Sequence, residues 1–76
     1  MRFIFFKDRD DLPRAVHADT IDEIYIKDYG EFAAVKIDYT IAGRQFTTAI
    51  EKFDFRHEAE DYLVNLIKKL NEEEIT

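Results

Sequence analysis

Apolar residues alternate with polar ones at period two through the middle of this chain: Ile24 and Ile26, then Val35, Ile37, Tyr39 and Ile41, then Phe46, Thr48 and Ile50. A β-strand sends successive side chains to opposite faces, so each run predicts a strand with one buried and one solvated side. Three such runs in succession predict adjacent antiparallel strands sharing a buried face. The spacing then changes: Ala59, Tyr62, Leu63, Leu66, Ile67 and Leu70 recur at helical intervals, the stripe of an amphipathic helix able to lie across that face.

Register arithmetic constrains the hairpins, because residues directly opposite in an antiparallel pair share a face and their numbers have a constant sum. A turn at Tyr29-Gly30 pairs Ile24 with Val35 and Ile26 with Ala33. A turn at Ala42-Gly43 pairs Val35 with Ile50, Ile37 with Thr48 and Tyr39 with Phe46. Both registers bring the same residues inward, and a loop changed by one residue would turn an apolar set outward unless a bulge absorbed it, so loops of two or four residues are demanded. Gly30 and Gly43, the chain's two glycines, stand where a tight hairpin needs positive φ. In the first register Asp28 faces Glu31, which favours the wider loop there.

The first twenty residues are less patterned. Arg2 to Lys7 reads as a strand with Phe3 and Phe5 on one face and Ile4 and Phe6 on the other, and two apolar faces suggest a central or doubly covered strand. Lys7 to Arg14 is a charged connector in which Pro13, lacking a donor, suits a strand start, an edge or a loop, or else the first turn of a short helix from Asp10 or Asp11. Ala15 to Ala18 reads as a second strand, Asp19 and Thr20 as a bend, and Ile21 to Asp28 as the third strand. The helix is expected from Asp54 or Phe55 with Asp54 as its N-cap. Glu58, Glu60 and Asp61 lie near its positive end and Lys68 and Lys69 near its negative end. Glu72, Glu73 and Glu74 oppose the dipole, so the last five residues are expected to fray.

These elements make an α+β fold: one domain over residues 1–76, an antiparallel β-meander of four to five strands, and one C-terminal helix packed on one face. A chain of 76 residues buries only about 60% of its unfolded surface, so stability should be modest. Seven Phe and four Tyr within a 46% hydrophobic composition suffice for a small core and exclude intrinsic disorder.

The same composition bounds function. Without cysteine there is neither a disulfide nor a thiolate metal site, which fits the cytoplasm. The apolar run Phe3 to Phe6 is too short for a signal-peptide core or a membrane span, so neither export nor insertion is expected. A formal charge of −6 repels phosphate backbones and anionic lipid, so neither nucleic acid nor membrane is an expected direct partner.

Catalytic chemistry has little to work with. Serine and cysteine are absent, which removes the two commonest nucleophiles, and two separated glycines make no phosphate-cradling loop. His17 with Asp19, and His57 with Asp61, have spacings that can chelate a cation, but two-ligand coincidences are common in so acidic a chain. The acidic pairs Asp10-Asp11 and Asp22-Glu23 have no apolar setting that would split their ionisation. Neither an enzyme, nor a cofactor, nor a metal centre is expected.

The run Phe53-Asp54-Phe55-Arg56-His57-Glu58-Ala59-Glu60, followed by Tyr62, Leu63 and Leu66, resembles the start of the closing helix in many small bacterial and phage proteins. The likeness covers the final third of the chain and implies no activity.

What remains is surplus apolar surface. If Val35, Ile37, Tyr39, Phe46 and Ile50 face the helix, then Tyr25, Ala34, Ala49 and Phe53 face away from it, joined by Phe3 and Phe5 from one side of the first strand. A single helix covers one face only, so Phe3, Phe5, Tyr25, Ala34, Ala49 and Phe53 form the candidate interface of a homo-oligomer or of a complex with a protein partner. Interleaved Lys27, Lys36, Asp38, Thr47 and Glu51 would instead keep that face solvated in a monomer. A second functional expectation is an acidic mimic that occupies a nucleic-acid-binding protein. The alternating signs of Lys27-Asp28, Lys36-Asp38 and Glu51-Lys52 count against it.

Overall fold

The computed structural model describes residues 3–8 and 10–75, with side chains placed as far as residue 71. Among the described residues five strands precede one helix: β1 (Phe3–Lys7), β2 (Pro13–His17), β3 (Ile21–Asp28), β4 (Ala33–Ile41), β5 (Arg44–Phe53) and α1 (Arg56–Ile75), with a 3-10 turn at Ala18–Thr20. The architecture is α+β as the periodicity predicts. The strands divide into two antiparallel sheets, a β1-β2 hairpin and a three-stranded meander in the order β3-β4-β5.

The first two strands pair about a tight connector. Asp8 organises it: its Oδ1 accepts from the backbone N–H of Asp10 and Leu12, its carbonyl accepts from Asp11, and its N–H donates to Leu12. Pro13 opens β2, as a residue without a donor should, and residues 10–12 form no helical turn. Strand one is not central. Its pairing is to β2 alone, and only Ile4 and Phe6 are buried while Phe3 and Phe5 stand in solvent. The doubly apolar sequence therefore marks an inner face plus surplus surface, not a doubly covered strand.

The meander keeps most of the expected faces with three changes of register: a wider first loop, a shift at Asp22 in β3 and a bulge in β5. The β3–β4 loop is the wider one: Ile24 lies opposite Ile37 and Ile26 opposite Val35, two residues from the narrow pairing. Tyr29 N–H donates to the Phe32 carbonyl, and Gly30, at φ 90°, donates to Asp28 Oδ1. This separates Asp28 from Glu31 and sets Asp28 against Ala33. The β4–β5 turn is the two-residue Ala42-Gly43 turn, with φ of 53° and 79°, and Tyr39 meets Phe46 while Ile37 meets Thr48. Beyond Lys36–Ala49 the ladder shifts by one residue, so Val35 opposes Glu51 and Ala33 opposes Phe53. The extra residue, Ile50, is a β-bulge, and it transfers Glu51 and Phe53 to the helix side.

One face of the meander carries both clusters of the core. Ile37 and Tyr39 pack with Ile4, Phe6 and Val16 of the hairpin and with Leu66 and Leu70 of α1. Ala33 and Val35 pack with Ala59, Tyr62, Leu63 and Phe53. Hairpin and helix thus share the same side of the sheet. Val35, Ile37 and Ala59 are completely enclosed, and at about 25 cal/mol per Å2 such contacts supply most of the drive to fold.

The helix starts one residue later than its chemistry suggested, at Arg56. The carbonyl of Phe55 accepts from Glu58 and Ala59, which makes Phe55 the N-cap position although its side chain has no acceptor. Ile67 is 42% exposed, at the margin of the apolar stripe rather than within it. The helical backbone also continues to Ile75. Unfavourable charge–dipole terms of about 0.3–1 kcal/mol do not by themselves end a helix.

Candidate functional site

Among the described residues no element lies over the opposite face of the meander, which the Lys7–Asp8 end of the hairpin borders beside Lys36, Thr47, Ala49 and Lys52. Alternation from the buried positions places four rows of side chains there, running across the strands. The first is Lys27, Ala34 and Lys52; the second Tyr25, Lys36 and Ala49; the third Glu23, Asp38 and Thr47. The fourth holds Thr40 and Gln45, joined by Asp22, the extra residue where the β3 register shifts. Its Oδ2 accepts from Thr40 Oγ1 at 2.6 Å.

The lysine end is built around the wide β3–β4 loop. Tyr29 and Phe32 stack with ring centroids 4.8 Å apart. Lys27 Nζ stands 5.9 Å from the Tyr29 centroid and Lys52 Nζ 5.6 Å from that of Phe32, both within cation–π range. Lys36 Nζ donates to the Tyr29 hydroxyl at 3.3 Å. Among the described residues no carboxylate lies within ion-pair distance of Lys27, Lys36 or Lys52. The acidic end is knit by hydroxyls: Asp38 Oδ1 accepts from Thr47 Oγ1 at 2.7 Å and from Tyr25 OH at 3.2 Å. Partial burial, and then this bond to Asp38, hold the Tyr25 hydroxyl pKa above the usual phenol value.

The six residues named from the sequence separate in space. Tyr25 and Ala49 are half-buried on the open face. Ala34 lies there too, but at 1% exposure it underlies the face and offers no surface to a partner. Phe5 is 76% exposed and joins Ala49 and Lys52 along a groove of about 570 Å3 between the hairpin and β5. Phe3, 41% exposed, sits further along the outer side of β1 with its ring edge-on to His17. Phe53 is a correction: the β5 bulge turns it to the helix side, where its ring lies 5.5 Å from that of Tyr62. Glu51 moves with it, raising the Tyr62 hydroxyl pKa in addition to the effect of burial.

Sequence reasoning missed Tyr29, Phe32 and Lys52 as parts of one cluster, because two are loop residues and the third follows a bulge. It also read the charges as alternating along each strand. Across the sheet they segregate by row: the wider loop sets Lys27, Tyr25 and Glu23 against Ala34, Lys36 and Asp38, while Lys52 and Asp22 reach the face only through the register shifts at Ile50 and Asp22, which constant sums do not carry.

Neither histidine gathers ligands. His17 Nδ1 accepts from Asp19 N–H and caps the 3-10 turn, while His57 stacks on Phe55. Among the described residues no group of three or more His, Asp or Glu converges, and no helix is long and apolar enough to cross a membrane. No protein-family model, curated protein or solved structure matches the chain.

Proposed function

We propose that this is a small, non-enzymatic protein that acts through protein–protein contacts and self-associates through the helix-free face of its meander. The observation that supports the reading is the placement of both covering elements on one side of the sheet. The other side is left with Tyr25, the stacked Tyr29 and Phe32, and the adjoining exposed Phe5. Exposed aromatics beside polar groups are the composition of contact surfaces. The cysteine-free composition suits the cytoplasm as the compartment. The mimic reading gains no support from this face, where lysines stand in number beside the acids.

Sedimentation equilibrium tests the proposal. The mass should rise from the 9.1 kDa of one chain toward twice that value as concentration increases. Phe5→Ser should weaken association without altering the melting temperature, since that ring contributes little to the core. A particle that keeps the monomer mass at every concentration would remove self-association.

A further inference from the structure

The open face is bipolar, and that polarity selects one geometry of pairing. Its first two rows carry Lys27, Lys36 and Lys52, and its last two carry Asp22, Glu23 and Asp38. Resting on the self-association reading above, we infer that the occupant of this face is a second copy of the chain, docked face to face with its strands antiparallel. The two-fold axis lies between the sheets and runs across the strands, between the second and third rows.

A two-fold interface is made by the same patch on both subunits, so the patch must complement itself. Two axes in the plane of the face can be compared. An axis along β4 lays each row on its own copy: Lys36 meets Lys36, Asp38 meets Asp38, and Lys27 meets Lys52. Every charged contact is then repulsive. An axis across the strands reverses the order of rows. The first row meets the fourth and the second meets the third, so Lys27 faces Asp22, Lys36 faces Asp38, Lys52 faces Gln45 and Tyr25 faces Glu23. Each ion pair occurs twice by symmetry, and the lysines, which have no carboxylate partner among the described residues of their own chain, acquire one from the other.

Magnitudes set the strength. Three strands about 4.8 Å apart, crossed by four rows, span a flat patch on the order of 400 Å2. That is about half of the usual 800 Å2 per partner, so the dimer should be weak and concentration-dependent. Its charged contacts make it salt-sensitive, because screening shortens to about 3 Å at molar ionic strength.

Charge reversal tests the pairing. Lys36→Glu and Asp38→Lys should each weaken dimerisation by about tenfold or more, since each places two like-charged contacts at the interface. Mixing the two variants in equal amounts should restore association as a heterodimer, and the double variant should restore it as a homodimer. Lys27→Glu and Asp22→Lys repeat the test at the rim, where neither side chain supports the core, and circular dichroism melting confirms that each variant is folded. Single reversals that associate as the wild type does, or weakened variants that fail to rescue one another, would overturn this geometry while leaving self-association intact. A wild-type monomer at all concentrations would overturn both. If that monomer bound inorganic pyrophosphate through Lys27, Lys36 and Lys52, the face would belong to an anion instead.

Discussion

Ala42 holds φ at 53° and Gly43 at 79°, the left-handed pair that a two-residue hairpin turn requires. Glycine adopts this conformation freely, whereas alanine there costs about 1–2 kcal/mol. Ala42→Asn should therefore raise the free energy of unfolding by about 0.5–1 kcal/mol, because asparagine is favoured at the first position of such turns. A higher urea midpoint with unchanged slope would show it. Gly43→Ala should lose about 1–2 kcal/mol, and the loss is torsional, since an added Cβ would meet nothing within 4 Å. Ile37 presents the opposite case. It is completely enclosed between hairpin and helix residues, so truncation to alanine leaves a cavity and should cost about 2–5 kcal/mol. A domain of this size has a stability of roughly 4–11 kcal/mol, so Ile37→Ala should be largely unfolded at moderate urea, whereas Ile37→Val should cost only about 0.5–1.5 kcal/mol.

At the level of elements, the helix start is the least satisfied piece of local chemistry. Phe55 occupies the N-cap position with its ring 63% exposed, and among the described residues no backbone N–H donates to the Asp54 carboxylate in place of the missing acceptor. Phe55→Ser should stabilise the protein by about 0.5–2 kcal/mol, measured as a shift in the thermal midpoint. The same element shows what the sequence could reveal. Period-two alternation located β3, β4 and β5, and helical spacing located α1, because burial on one side repeats at the period of the backbone. The register of β4 on β5 was legible from Ala42-Gly43, since a two-residue turn leaves no freedom. The bulge at Ile50 was not, because glutamate and lysine at positions 51 and 52 are compatible with either face, and only packing of Phe53 on Tyr62 decides. Strand one misled for a related reason. Its four apolar residues state that two faces are oily, and nothing local states that one of them is left in solvent.

At the scale of the whole molecule, all covering elements on one side of the sheet mean that the core and the candidate interface are separate, so most substitutions should move stability or association but not both. Alkaline pH probes the core side through Tyr62. Burial, and then repulsion from Glu51, raise the hydroxyl pKa of Tyr62 in the folded state above the unfolded value of about 10. The neutral phenol is therefore favoured by folding. Its contribution is complete below about pH 10 and is lost as pH rises through the folded value, because the unfolded chain then releases its proton first. Lysine residues titrate in the same range, so the comparison must be internal. Tyr62→Phe removes the titrating group while keeping the ring against Phe53, and its stability should fall less steeply than that of the wild type between about pH 9 and pH 11. Urea denaturation at both values measures the difference. Parallel slopes for the two proteins would show that Tyr62 keeps its hydroxyl as accessible in the fold as in the unfolded chain, and would displace it from the seam between α1 and β5.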